Sequence, residues 1–248
     1  MPEHGGRLRQ AARRYGIPLA DWLDLSTGIN PLGWPVPAPP PAAWTRLPED
    51  QDGLEAAART YYRTQQLLVV AGSQAAIQAL PRLRGHARVS VLDPGYFEHA
   101  QAWRHAGHQV TPVTAERLDD AAPTSDVLLL IHPNNPTGAR FPLDRLLAWQ
   151  ARLAARDGWL VVDEAFMDVT PETSLARFCP RPGLIVLRSL GKFFGLAGPG
   201  WDSCSRSRNC WNDSTPCSGP GRSAPRPAGW RRGPSRITPG STAIVAAW

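Results

Sequence analysis

A chain of 248 residues, 42% of them hydrophobic, is long enough to bury one large α/β core, or that core and part of a second domain. Met1 to Gly16 is polar and basic, and the longest aliphatic run, Val127 to Ile131, is far too short to span a bilayer, so a soluble cytoplasmic protein without a membrane partner is expected. The net charge of +6 invites a nucleic-acid reading, but seven arginines against two aspartates between Pro199 and Trp248 carry +5 of it and leave +1 for the rest.

The same C-terminal stretch holds Cys204, Cys210 and Cys217, with only Cys179 elsewhere. No paired C-x-x-C and no neighbouring histidine give these a zinc pattern, so no metal is expected, and without a leader a secreted disulfide framework is not expected either.

Arg7 to Tyr15 reads as a short basic helix ended by Gly16-Ile17-Pro18. Trp22 to Gly33 (W-L-D-L-S-T-G-I-N-P-L-G) is extended chain broken by Gly and Pro, and Pro35 to Pro41 is a polyproline connector. An amphipathic helix, Leu54 to Tyr62, precedes a β-rich run from Gln66 to Val70. That strand feeds Ala71-Gly72-Ser73-Gln74 and a helical stretch, Ala75 to Leu83. A strand turning through glycine into a helix start presents free N–H groups and a positive dipole end to an anion, although many such turns bind nothing.

Arg88 to Leu92 is the next strand and closes on Asp93-Pro94-Gly95-Tyr96, an aromatic that either caps the core or offers a flat face to a ring. A helix from Glu98 to Ala106 and a strand around His108 to Val113 follow. Val127 to Ile131 then runs into His132-Pro133-Asn134-Asn135-Pro136-Thr137-Gly138, a turn that fixes an amide side chain at a strand end. Leu143 to Arg156 is an amphipathic helix with Leu143, Leu146, Leu147, Trp149 and Leu153 on its apolar side.

The strand Trp159 to Val162 leads into Asp163-Glu164-Ala165-Phe166, and a carboxylate at the end of an all-apolar strand is expensive to bury unless paired. Leu184 to Leu187 is a strand ended by Arg188-Ser189. Lys192 follows in a turn of small residues, with Phe193, Phe194 and Leu196 around its stem. Partial desolvation there would favour the neutral amine that attacks an aldehyde, whereas a lysine after a strand is more often a solvated loop residue.

Several of these motifs together resemble the fold-type I pyridoxal-phosphate enzymes: Ser189-x-x-Lys192 before F-G-L-A-G, N-N-P-T-G, Asp163-Glu164-Ala165-Phe166, and H-G-G with L-D-L-S-T-G-I-N-P. The likeness runs from about Glu3 to Gly198. It is closest to the histidinol-phosphate aminotransferase branch and, within it, to the threonine-phosphate decarboxylases of cobalamin biosynthesis. The resemblance implies an α/β large domain with a mostly parallel sheet flanked by helices and its functional turns at the carboxyl edge. Its organisation would be an N-terminal arm (1–34), an incomplete pyridoxal-phosphate-binding large domain (35–198) and a low-complexity, disordered basic tail (199–248), the small C-terminal domain being missing.

The same resemblance implies pyridoxal 5'-phosphate as cofactor and Lys192 as the catalytic residue that condenses with its aldehyde. Asp163 would pair with the pyridine nitrogen, Tyr96 stack on the ring and Asn135 meet the phenolic oxygen, while Gly72, Ser73, Gln74 and Ser189 hold the phosphate. His4, Gly5 and Asn30, on an arm that crosses the active site, would approach the substrate's phosphate. The implied activity is decarboxylation of L-threonine O-3-phosphate to (R)-1-aminopropan-2-ol O-2-phosphate by a homodimer. Two positions depart from relatives: Leu47 stands where a Tyr often reaches the neighbouring subunit's cofactor, and Phe166 where aminotransferases carry a Tyr, which suits the decarboxylase branch. The alternatives are a histidinol-phosphate aminotransferase, against which the H-G-G and S-T-G-I-N-P segments speak, and nucleic-acid binding through the basic tail. That tail has no helical or aromatic spacing to organise its charges, so no nucleic-acid partner is expected.

After Gly198 the periodicity stops, and Pro199 to Gly240 has no apolar face. If each codon takes the third base of one residue and the first two of the next, Pro199 to Asp202 can encode R-L-G. The glycine is forced, since a Trp codon ends in G and an Asp codon begins GA. Continuing through Ser214 can give R-L-G-F-V-L-A-E-P-E-L-L-E-R-L, a strand and a helix. A one-base loss or two-base gain near Gly198 to Gly200 is therefore expected. The arginines for the cofactor phosphate and the substrate carboxylate would be lost with it, and the sheet, lacking its next strand, would have an unpaired edge.

Overall fold

In a computed structural model of the chain, the residues described are 5–45, 47, 52–197 and 244–247. The helices among them are α1 (Leu8–Tyr15), α2 (Ala42–Thr45), α3 (Leu54–Tyr62), α4 (Ser73–Ala79), α5 (Phe97–His105), α6 (Leu118–Ala121) and α7 (Leu143–Ala154). The strands are β1 (Leu67–Val70), β2 (Arg88–Leu92), β3 (Gln109–Val113), β4 (Val127–Ile131), β5 (Trp159–Asp163), β6 (Leu184–Ser189) and β7 (Ile244–Ala247). Gly16 ends α1 in the left-handed conformation, φ 68°. The helical stretch expected up to Leu83 divides, with α4 passing into a 3-10 turn over Leu80–Leu83, because Pro81 has no N–H for an α-type bond.

All pairings are parallel, in the order β1-β7-β6-β5-β4-β2-β3. The continuous apolar runs of β4, β5 and β6 are buried along their whole length, as strands covered on both faces must be. Alternation divides them between two cores. Leu128, Leu130, Leu160, Val162, Leu184 and Val186 pack with Leu146, Trp149 and Leu153 of α7. On the other face Val127, Leu129, Val161, Ile185 and Leu187 pack with Ile77 of α4 and Trp103 of α5. Each fully buried Leu or Val contributes about 1.5–3 kcal/mol, so this double layer is what sets the register.

Beside β6 the expected open edge is occupied. Residues Ile244–Ala247 lie between β1 and β6 and pair with both, Val245 opposite Leu68 on one side and Leu187 on the other. The rest of the tail lies outside the described residues.

Candidate active site

The carboxyl ends of β4, β5 and β6 stand side by side, with Ile131 paired to Asp163 and Asp163 to Leu187. Asp163 and Ser189 fall on the face covered by α4 and α5, while Glu164 and Arg188 fall on the face covered by α7. Asp163 is buried, and its charge is met from two sides: Oδ2 lies 2.7 Å from His99 Nε2, and Oδ1 accepts the Ala165 N–H at 3.0 Å. His99, itself buried, comes from the first turn of α5. Tyr96, the residue before that helix, sets its ring 6.2 Å from the His99 ring at 83°. Tyr96, His99 and Asp163 thus form one continuous run at the sheet edge.

Lys192 is half-buried in the turn after β6, its Nζ 5.6 Å from the centre of the Phe166 ring. The arm lies across this turn. Asn30 donates its N–H to Lys192 O (3.0 Å) and its Nδ2 to Phe193 O (2.8 Å), while Trp34 donates to Phe194 O (2.7 Å). Gly195 needs to be glycine, since its φ is 69° and a Cβ there would stand 2.6 Å from Gly33 Cα. Phe166 seats against the arm, a Cβ on Gly28 being 2.9 Å from its ring.

The remaining expected site residues are spread along the same edge. Ser189 Oγ accepts the Gly191 N–H at 3.1 Å. Gly72 takes φ 79° at the start of α4, Ser73 is its first residue, and Gln74 Nε2 donates to Glu98 Oε2 at 3.1 Å. Asn135 is exposed in its turn. The Asn30 amide, expected to approach a substrate phosphate, is engaged at both ends, with Phe193 O and with the Leu32 N–H. Gly5 lies against the arm, where a Cβ would meet Ser26 O at 2.0 Å. His4 lies outside the described residues.

Three features escaped the sequence. His99 is one, although a histidine three residues after Tyr96 on a helix start was a usable signal. Asn134 is another: its buried Nδ2 donates to Pro94 O (2.8 Å) and Thr137 Oγ1 (2.7 Å), tying the N-N-P-T-G turn to the loop before Tyr96. The third is a charge network on the far face, read only as the polar end of a strand. Arg188 Nη1 donates to Glu164 Oε2 (2.9 Å) and Ser174 Oγ (3.1 Å), and Nη2 donates to Asp168 Oδ1 (2.5 Å). Glu164 Oε1 also accepts the Leu175 N–H at 2.7 Å. Burial pushes the Glu164 carboxyl up, against the pull of Arg188.

Fold and site together define a parallel α/β protein whose carboxyl edge carries a lysine turn beside a buried, histidine-backed carboxylate. The sequence model of the family described as aminotransferase class I and II matches residues 21–208, and the chain belongs to that family. It is 64% identical over 198 residues to threonine-phosphate decarboxylase of Pseudomonas aeruginosa, covering 80% of this chain and 60% of that protein. It is 47% identical over 204 residues to the protein of the same name from Sinorhizobium sp, covering 79% of this chain and 60% of that one. The chain therefore spans about three fifths of the length of these curated relatives. The crystal structure of L-threonine-O-3-phosphate decarboxylase from Porphyromonas gingivalis shares the fold, with TM-score 0.53 and 22% identity over 58% of this chain and 46% of that one.

Pyridoxal phosphate is the cofactor of this family, and the residues present fit it. The set offers a half-buried amine, a buried carboxylate with lone pairs left beyond its two partners, a flat aromatic ring and a buried serine hydroxyl, all at one sheet edge.

Proposed function

We propose that this chain supplies the cofactor-holding part of a pyridoxal-phosphate decarboxylase that converts L-threonine O-3-phosphate to (R)-1-aminopropan-2-ol O-2-phosphate. The observation that carries this reading is the 64% identity with a protein named for that activity. Phe166 beside the Lys192 amine supports it, because an apolar ring there has no hydroxyl to donate to the cofactor's phenolic oxygen, as the Tyr of aminotransferases does.

When bound, pyridoxal phosphate supplies an electron sink for the pair left as carbon dioxide departs. The chain's part is to hold and orient. Lys192 would hold the aldehyde carbon. Asp163, with His99 behind it, would keep a proton on the pyridine nitrogen. Tyr96 would lie on the ring, Asn135 would meet the phenolic oxygen, and Gly72, Ser73, Gln74 and Ser189 would meet the phosphate. His4, Gly5 and Asn30 would bring the arm to the substrate's own phosphate, while the arm and Phe166 keep water from the amine.

The active form is proposed to be a cytoplasmic homodimer. Leu23, Leu25, Leu32 and Trp34 of the arm are between 64% and 86% exposed, an apolar surface that a second copy would cover. The reading-frame change after about Gly198 belongs to the same proposal, and resequencing the gene checks it. For the activity itself, purified chain is incubated with pyridoxal phosphate, reduced with borohydride and digested. A phosphopyridoxyl group on Lys192, absent from Lys192→Ala, and carbon dioxide released from threonine phosphate are the expected results. Borohydride labelling that ignores position 192 would overturn the reading.

A further inference from the structure

We propose that Tyr61, at the end of α3, is a positioning residue for Lys192, holding the lysine turn down on the sheet edge by linking it to the buried Arg188 network. The proposal rests on the reading that Lys192 is the aldehyde-binding amine. Tyr61 is 48% exposed, so burial alone does not explain where its ring sits. Its contacts do. The hydroxyl donates to Asp168 Oδ1 at 3.2 Å, the oxygen that also accepts from Arg188 Nη2. The ring meets the Phe194 ring edge-on, centroids 5.7 Å apart at 64°, and the Tyr62 ring at 5.0 Å and 78°.

Phe194 is two residues beyond Lys192. Its ring also meets Trp34 of the arm at 6.3 Å, and its carbonyl accepts the Trp34 N–H. The lysine turn is thus held from two directions: by the arm from one side and by Tyr61 from the other. Only the second contact leads into the hydrogen-bonded network of Asp168 and Arg188, both of which are buried. Burial and the Asp168 charge both push the Tyr61 phenol up, so its hydroxyl stays a donor at neutral pH. Without the hydroxyl the ring loses its hydrogen bond into that network, and without the ring the turn keeps its own local hydrogen bonds and the arm but no link to Asp168.

The test compares the wild-type chain of 248 residues with its Tyr61→Phe and Tyr61→Leu variants in two measurements. In the first, amide exchange is followed in the turn, where Gly195 N–H bonds to Lys192 O and Leu196 N–H to Leu190 O. Exchange there should rise about tenfold in Tyr61→Leu and less in Tyr61→Phe, while β5 and β6 keep their protection. In the second, borohydride trapping of pyridoxal phosphate on Lys192 should slow by about tenfold in Tyr61→Leu, within the loss that ~1 Å of misplacement causes. Turn amides that exchange as in wild type overturn the proposal, and so does equal acceleration throughout β5 and β6, which marks a purely structural role. A wild type that takes no label on Lys192 refutes the cofactor reading, and the exchange data then still decide whether Tyr61 fixes the turn.

Discussion

Burial moves the His132 imidazole from 6.5 down to about 4, helped by the charge of Arg140, and its Nε2 accepts the Phe141 N–H at 3.0 Å, a bond that a proton there would displace. Because the folded value lies below the unfolded one, the unfolded chain takes up a proton between about 6.5 and 4 that the folded chain refuses. The contribution is complete above that window and lost as pH falls through it, amounting to at most about 3 kcal/mol at ~1.4 kcal/mol per unit. Urea denaturation at neutral and mildly acid pH should show a shallower loss of stability in His132→Gln than in wild type, and equal slopes would contradict the assignment. Asp163 gives a second test. Asp163→Asn can still pair with His99 through a change of tautomer, whereas Asp163→Ala leaves a buried imidazole unpaired. Denaturation should find the first close to wild type and the second weaker by about 1–3 kcal/mol.

Among the elements, β2 and β4 match the sequence reading to the residue: β4 is an unbroken apolar run between polar turns, and in β2 Val89, Val91 and Leu92 are buried between an exposed Arg88 and the Asp93-Pro94-Gly95 turn. β6 runs two residues further than its apolar pattern, through Arg188 and Ser189, since Arg188 is buried among partners 20 and 24 residues away that no local pattern reveals. The site divides in the same way. Lys192, Asp163 and Tyr96 can be singled out as candidates because each sits in a short motif, whereas the His99 contact to Asp163 spans 64 residues. Arg188 stands against two carboxylates, so removing it alone is the severe change. Arg188→Met should cost about 3–5 kcal/mol by chemical denaturation, and adding Glu164→Gln and Asp168→Asn should restore much of that by removing the stranded charges. A triple variant no more stable than the single one would show that the network acts through packing instead.

For the molecule as a whole, the sheet was legible but its closure beside β6 was not, because four apolar residues after a long polar tail carry no sign of which slot they fill. Among the described residues β1 is paired with β7 and with no other strand, so Ile244–Ala247 alone join β1 to the sheet through hydrogen bonds. β1 also touches the cores through Leu67, Val69 and Val70, but only Leu67 is fully buried and Leu68 is half exposed, so side-chain burial there is partial. Ending the chain after residue 243 would leave the backbone groups of β1 and one side of β6 unpaired, two edges of the kind that recruit other chains. Hydrogen exchange should then show Leu67–Val70 losing protection, β6 losing part of its own, and Val127–Ile131 at the sheet centre keeping theirs, with self-association rising in light scattering. Protection of Leu67–Val70 that survives the truncation would mean that β1 is held by its side chains and that β7 adds nothing to the sheet.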